Sequence, residues 1–278
     1  MKRVEWAGRR TVITGGSSGI GKQVAEHLLR LGAHVAIVAD GADKLARAEA
    51  DLKRLSPHVW AYRCDVARSE DIDALVRAYR SAFGAPQVIV NNAGYAVYEP
   101  FERMSPSEIH RLFDVNLSGA ALLTRAFLPD MIRAGGGDVV FVSSIAGRIP
   151  MTPCSVYSAA KHGMVALGEL LRVELARFNV RVQVVCPGRV ETDFFAHESF
   201  QKRAPRREAA RTVPIEVVSR AIIDAVERDR FMTTVPRHYA ILVWLAASVP
   251  ALFKPLWHRL LASRVASVYD DLAKTELR

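Results

Sequence analysis

The chain has 278 residues, 50% hydrophobic and 24% charged, with a net charge of +9. That length suffices for one large α/β domain with a buried core, and that balance excludes disorder over most of the chain. Residues 201–278 hold 14 Lys/Arg against 8 Asp/Glu, but no zinc finger, RNA-recognition aromatic pattern or basic heptad accompanies the surplus, so nucleic acid is not an expected partner.

Three cysteines, Cys64, Cys154 and Cys186, are odd in number, far apart and without a Cys-x-x-Cys. No disulfide framework or metal site is expected, and a reducing compartment fits. The start, Met1-Lys2-Arg3-Val4-Glu5-Trp6, has no apolar signal core before a cleavage site, so a cytoplasmic location is expected.

In chain order, Arg10–Thr14 reads as a short buried strand. It runs into Gly15-Gly16-Ser17-Ser18-Gly19-Ile20-Gly21 and then an amphipathic helix with Ile20, Val24, Leu28 and Leu31 at helical spacing. Strand, glycine turn and helix form the context of a phosphate-cradling loop, because the helix N-terminus offers unpaired N–H groups and a positive dipole end. The spacing is Gly-x-x-x-Gly-x-Gly rather than the commoner Gly-x-Gly-x-x-Gly. A second strand, His34–Ala39, ends at Asp40, nineteen residues after Gly21. An acid there accepts from both adenosine ribose hydroxyls and repels a 2′-phosphate, which favours NAD over NADP.

A helix is expected over Asp43–Leu55 and a strand over Val59–Arg63, ending in Cys64-Asp65-Val66. A third helix over Ser69–Phe83 and a fourth strand over Gln87–Val90 lead to Asn91-Asn92-Ala93-Gly94. This alternation predicts parallel βαβ units. One long helix is expected over Pro106–Arg133. Asn116 sits inside it, a poor mid-helix residue that suggests a local kink or a water site. A fifth strand is expected over Asp138–Ser144, a helix over Ser155–Phe178, a sixth strand over Val180–Val185, a helix over Pro214–Arg228 and a last strand over Thr233–Val235. The fold class is a single-domain doubly wound (Rossmann) parallel sheet of about seven strands with helices on both faces. Gly15, Asp65, Asn92 and Ser144 all fall at carboxyl ends of strands, where ligands bind in such sheets.

Tyr157 and Lys161 are four apart and share a helix face, and Ser144 lies thirteen residues before the tyrosine. A free phenol has a pKa near 10. A neighbouring ammonium lowers it, and a serine hydroxyl can polarise a carbonyl, so the group suits proton transfer at an oxygen while hydride moves at the attached carbon.

Taken together, TGGSSGIG at Thr14–Gly21, Asp65-Val66, NNAG at Asn91–Gly94, VNLSG around Asn116, Ser144, YSAAK at Tyr157–Lys161 and Pro187-Gly188 resemble the short-chain dehydrogenase/reductase family over about residues 8–236. The resemblance implies a catalytic tetrad of Asn116, Ser144, Tyr157 and Lys161. Tyr157 would be the general acid/base. Lys161 would hold the nicotinamide ribose, Ser144 would orient the substrate oxygen, and Asn116 would hold a water that relays protons. It also implies cofactor contacts from Gly15, Ser17, Ser18, Gly19, Ile20 and Gly21 at the pyrophosphate, Asp40 at the ribose, and Asp65 and Val66 at the adenine. Asn92, Ala93 and Gly94 would line the cofactor pocket, and Pro187, Gly188, Val190 and Thr192 the nicotinamide side. It further suggests a homodimer or homotetramer, a catalytic unit over 1–236, and a substrate flap near 189–214, where Phe194, Phe195 and Phe200 would form a lid.

Residues 237–278 read as an apolar and basic helical extension. Tyr239–Phe253 holds no charged residue but is fifteen long, short of the roughly 20 that cross a bilayer. Trp257 beside Lys254, His258 and Arg259 suits a peripheral membrane contact; packing on the core or on another subunit remain open. The tail loosely resembles that of reductases acting on long-chain lipids, such as 3-ketosphinganine reductases, but Asp40 stands where many of those carry a basic residue. The expected function is an NAD-dependent oxidoreductase, with NADP as the alternative, that interconverts an alcohol and a ketone on a hydrophobic, lipid- or steroid-like substrate. The other reading is a non-catalytic NAD(H)-binding sensor or membrane-associated protein.

Overall fold

The structure is a computed structural model, which describes residues 4–190, 192 and 212–276. Seven strands form one parallel sheet: β1 Arg10–Thr14, β2 His34–Ala39, β3 Val59–Arg63, β4 Val88–Asn91, β5 Gly137–Val142, β6 Val180–Pro187 and β7 Met232–Val235, in the order β3-β2-β1-β4-β5-β6-β7. Their Val- and Ile-rich runs are covered on both faces, as parallel sheets require. Alternate residues supply the two cores. Ile13, Val35 and Ile37 pack with α1 (Gly19–Arg30), α2 (Ala42–Lys53) and α7 (Ile215–Glu227). Val12, Ala36 and Val38 pack with α3 (Ser69–Phe83), α5 (Gly119–Arg133) and α6 (Ser155–Glu174).

The chain lays strands outward from β1 to β3, then returns to place β4 on the other side of β1. That reversal opens a crevice beyond the carboxyl ends of β1 and β4. The two ends are joined tightly. Thr14 Oγ1 accepts from the backbone N–H of Asn92 and of Ala93, both at 3.0 Å, and Asn92 Nδ2 donates to the carbonyls of Thr14 and Gly15 at 3.0 and 3.3 Å.

The long helix expected over Pro106–Arg133 is instead two helices. α4 covers Pro106–Phe113, α5 begins at Gly119, and Asp114–Ser118 between them is a π-helical turn. The Asn116 side chain donates to the Leu112 carbonyl at 3.0 Å, a side-chain competitor for a backbone acceptor. α6 also stops short of Phe178; a 3-10 turn over Ala176–Phe178 and the left-handed Asn179 (φ 55°) close it. After β7 come α8 (Tyr239–Ser248) and α9 (Pro250–Glu276). Among the described residues no helix is long and apolar enough to cross a membrane. Most of the expected flap, including Phe194, Phe195 and Phe200, lies outside the described residues.

Candidate active site

A cavity of about 840 Å³ occupies the crevice, near the upper end of the usual range for ligand sites. Gly15, Ser17, Ser18, Gly19 and Ile20 line it from the first turn, then Asp40, Asp65 and Val66, Asn92, Ala93 and Gly94, Ser144, Tyr157 and Lys161, and Pro187, Gly188, Val190 and Thr192. Two residues singled out in the sequence stand behind the wall. Gly21 packs against the carbonyl of Gly15 so closely that an added Cβ would lie 2.3 Å from its oxygen. Asn116 is fully buried in the π turn and lies behind Gly94, where an added Cβ would lie 2.6 Å from Asn116 Oδ1 and 3.3 Å from Lys161 Nζ.

The dinucleotide end has the features an anionic ligand needs. Ser18 precedes α1 in an extended conformation, its side chain caps nothing, and the first turn of α1 holds no acid. The first N–H groups of the helix are thus available to a pyrophosphate. Burial opposes ionisation of the Asp65 carboxyl, but Arg111 at 2.8 Å and the Ala67 N–H at 3.0 Å hold it below the usual carboxylate range. The residues present fit a nicotinamide dinucleotide.

At the other end, α6 presents Tyr157 and Lys161 from its first two turns. Lys161 is buried, and its Nζ donates to the Val142 carbonyl at 3.0 Å. Burial lowers its pKa to about 8, with the Cys186 thiol opposing. Burial pushes the Tyr157 phenol upward, and a hydrogen bond with Ser144 pulls part of the way back. The expectation that Lys161 acidifies the phenol is therefore not met by the protein alone. The ammonium lies over the ring face, 5.8 Å from its centroid, and burial, which disfavours the phenolate, is the largest influence on the hydroxyl. Ser144 Oγ accepts from the Ala146 N–H at 3.1 Å, which directs the hydroxyl proton away from the backbone and toward Tyr157. Asn116 Nδ2 donates to the carbonyls of Tyr95 and Leu112 at 2.9 and 3.0 Å, while its buried Oδ1 has no donor from the protein.

The cavity also collects residues that no motif marked. Arg111 comes from α4. Lys44 stands one turn after Asp40. Ile149 and Met151 come from the segment after Ser144, and Tyr239, Leu242 and Trp257 come from α8 and α9. Tyr239 and Leu242 are three apart in an apolar run; nothing in that spacing distinguishes a cavity wall from an ordinary packed helix face.

Fold and cavity define a doubly wound α/β protein with a dinucleotide site. The family model for short chain dehydrogenase matches residues 9–203, and the chain belongs to the short-chain dehydrogenase/reductase family of NAD(P)-dependent oxidoreductases. Dehydrogenase/reductase SDR family member 4 of Bos taurus is 34% identical over 184 residues, 66% of this chain and 66% of that protein. The 3-ketodihydrosphingosine reductase of Bos taurus is 31% identical over 229 residues, 79% of this chain and 69% of that protein. The chain thus spans about two thirds of the length of these relatives. A short chain dehydrogenase/reductase from Burkholderia phymatum, solved in complex with NAD, superposes with a TM-score of 0.82 at 26% identity, covering 90% of this chain and 96% of that one. A short-chain dehydrogenase from Sphingobium yanoikuyae in complex with NADPH gives 0.78 at 26% identity over 88% and 95%.

Proposed function

We propose that the protein interconverts a secondary alcohol and a ketone on a hydrophobic substrate, with NAD(H) as the preferred cofactor. The observation that carries this reading is the meeting of Ser144, Tyr157 and Lys161 on the wall of the same cavity that the glycine turn lines. When bound there, a nicotinamide ring gives or takes the hydride. Tyr157 gives a proton to the substrate oxygen in reduction and takes one in oxidation. The raised pKa keeps it protonated at neutral pH, the form reduction needs. Ser144 donates to the same oxygen. Lys161 donates to Val142 at 3.0 Å and lies 4.0 Å from Met164 Sδ, and what this leaves serves the cofactor ribose and a water that also bonds Asn116 Oδ1.

Asp40 supports the NAD preference, since it lines the cavity at the end of β2 and its charge opposes a 2′-phosphate. The apolar residues at the substrate end support a hydrophobic substrate; so does the likeness to a protein named 3-ketodihydrosphingosine reductase. Residues 1–236 act as the catalytic unit and 237–278 as an extension. Ile241, Trp244, Leu252 and Leu256 on that extension are more than 60% exposed, and no acid stands between Asp229 and Asp270. Both facts support a peripheral contact of the protein with anionic lipid. Exposed Leu122, Leu170 and Val173 on α5 and α6 support a homo-oligomer.

The test is turnover. Purified protein should oxidise NADH with a panel of apolar ketones, and Tyr157→Phe should lower that rate by about 10²- to 10⁴-fold while NADH binding stays within a few fold. An unchanged rate in the mutant overturns the mechanism. Tight NADH binding with no turnover across the panel would favour the sensor reading, which nothing in the comparisons supports.

A further inference from the structure

The tail helices α8 and α9 lie beyond the stretch that the family model matches, yet three of their side chains line the cavity that holds Tyr157. A helix recruited only for packing buries its apolar residues. Here, among the described side chains of α8 and α9, only Val243 and Leu261 are buried. Tyr239, Leu242 and Trp257 stay partly open because they face the cavity rather than the core.

Their positions are fixed by contacts with the catalytic body. The Tyr239 ring rests on the end of β6, so close that a Cβ added to Gly188 would lie 2.6 Å from its Cε2. Trp257 Nε1 donates to the carbonyl of Pro150 at 2.8 Å, which satisfies the one polar atom of the indole and leaves its rings as an apolar surface. Pro150 belongs to the segment that runs from Ser144 to α6. The same bond therefore sets the distance between Trp257 and that segment's own cavity residues, Ile149 and Met151. Farther along α9, the Tyr269 hydroxyl bonds Glu102. The roof is held at several separated points.

We infer that α8 and α9 complete a subsite for an extended aliphatic chain, with Leu242 and Trp257 on one side, Ile149 and Met151 on the other, and the carbinol or carbonyl carbon at Ser144 and Tyr157. The inference rests on the oxidoreductase reading of this cavity and names the part of the substrate that the tail recognises. None of the four walls carries a charge, and the indole N–H is already taken. A sugar or a short hydroxy acid would leave its polar groups unpaired there. An alkyl chain loses only contact with water.

The experiment is a homologous series of 2-alkanones, from about four to about twelve carbons, reduced by the full-length protein with NADH. In the wild type kcat/KM rises by about two- to fourfold per methylene until the subsite is filled. Leu242→Trp narrows the subsite and flattens that slope, and Trp257→Ala, which removes one wall, flattens it as well. NADH affinity, measured on each variant, shows that the cofactor end is intact. A flat wild-type series, or a slope that survives both substitutions, overturns the subsite while leaving the oxidoreductase reading in place. No turnover with any ketone while NADH binds is the distinct failure of the oxidoreductase reading. A second readout needs no turnover: a long-chain ketone should alter tryptophan emission, and Trp257→Phe should abolish that change. Emission that responds identically in Trp257→Phe places the chain elsewhere.

Discussion

The two ends of the cavity are built on different principles. At the dinucleotide end the wall is closely packed backbone pinned by hydrogen bonds from short side chains. Gly21 meets the Gly15 carbonyl, Asn92 is bonded to the carbonyls of Thr14 and Gly15, and Thr14 Oγ1 takes two N–H groups of the following turn. At the substrate end the wall is large aromatic side chains laid on backbone. Tyr239 leans on Gly188, and Trp257 hangs from a single carbonyl. Packed backbone has no rotamer through which to yield, whereas a ring can rotate about its own side-chain bonds even where its helix is held. The first end tolerates one shape of ligand and the second can be retuned, as a family that shares a cofactor but varies its substrates requires.

Matched substitutions break that comparison most sharply. In Gly21→Ala the new methyl lies 2.3 Å from the Gly15 oxygen and 2.7 Å from Asn92 Nδ2. The turn must move, so we expect NADH affinity to fall by more than about 100-fold and stability by about 1–3 kcal/mol, read by fluorescence titration and thermal unfolding. In Gly188→Ala the methyl meets the edge of Tyr239 at 2.6 Å. Rotation of that ring relieves the clash, so the cost in stability should stay below about 1 kcal/mol, with the change appearing in the KM for ketone. Equal losses in the two variants would refute the contrast between a rigid and a yielding end.

Asp40 gives the next largest effect. It stands at the end of β2 with its side chain exposed at the cavity rim. Charge-assisted hydrogen bonds to ribose hydroxyls contribute about 1.5–3 kcal/mol. Asp40→Ser should therefore weaken NADH by about 10- to 100-fold and narrow the gap to NADPH, measured as the ratio of kcat/KM for the two cofactors. A ratio that does not move assigns the discrimination to another group, with Lys44 on the same wall the first to examine.

What the sequence revealed follows the same division. The glycine turn, NNAG and the Tyr157–Lys161 pair are legible because close backbone approach and a shared helix face demand particular residues at fixed spacing. The strands are legible because burial on both faces writes continuous apolar runs. The break at Asp114–Ser118 is legible only in part: Asn116 marks a local irregularity, but not the π turn that divides the helix, where Asn116 bonds back to Leu112 and across to Tyr95. Arg111, Leu242 and Trp257 are silent. Each reaches the cavity through tertiary placement, and Arg111 meets Asp65 from 46 residues away.

The smallest effect concerns Lys161 at the seam between the two ends. Its pKa falls from 10.5 to about 8 because it is buried. The unfolded chain keeps the proton up to about 10.5, so between pH 8 and 10.5 it binds more protons than the folded state, and stability rises with pH across that window. Below pH 8 both states are charged and the folded one bears the full desolvation cost. Lys161→Met removes that cost together with the bond to Val142. The net at pH 6.5 should be a Tm about 2–4 °C above wild type, equivalent to about 1 kcal/mol, with turnover sharply reduced. The advantage should shrink as pH rises through 8 and vanish near 10.5. A Tm below wild type at pH 6.5 would mean that the Val142 bond outweighs desolvation. Lys161 would then be a structural brace as well as the proposed ribose ligand, and the rigid end of the cavity would extend as far as Tyr157.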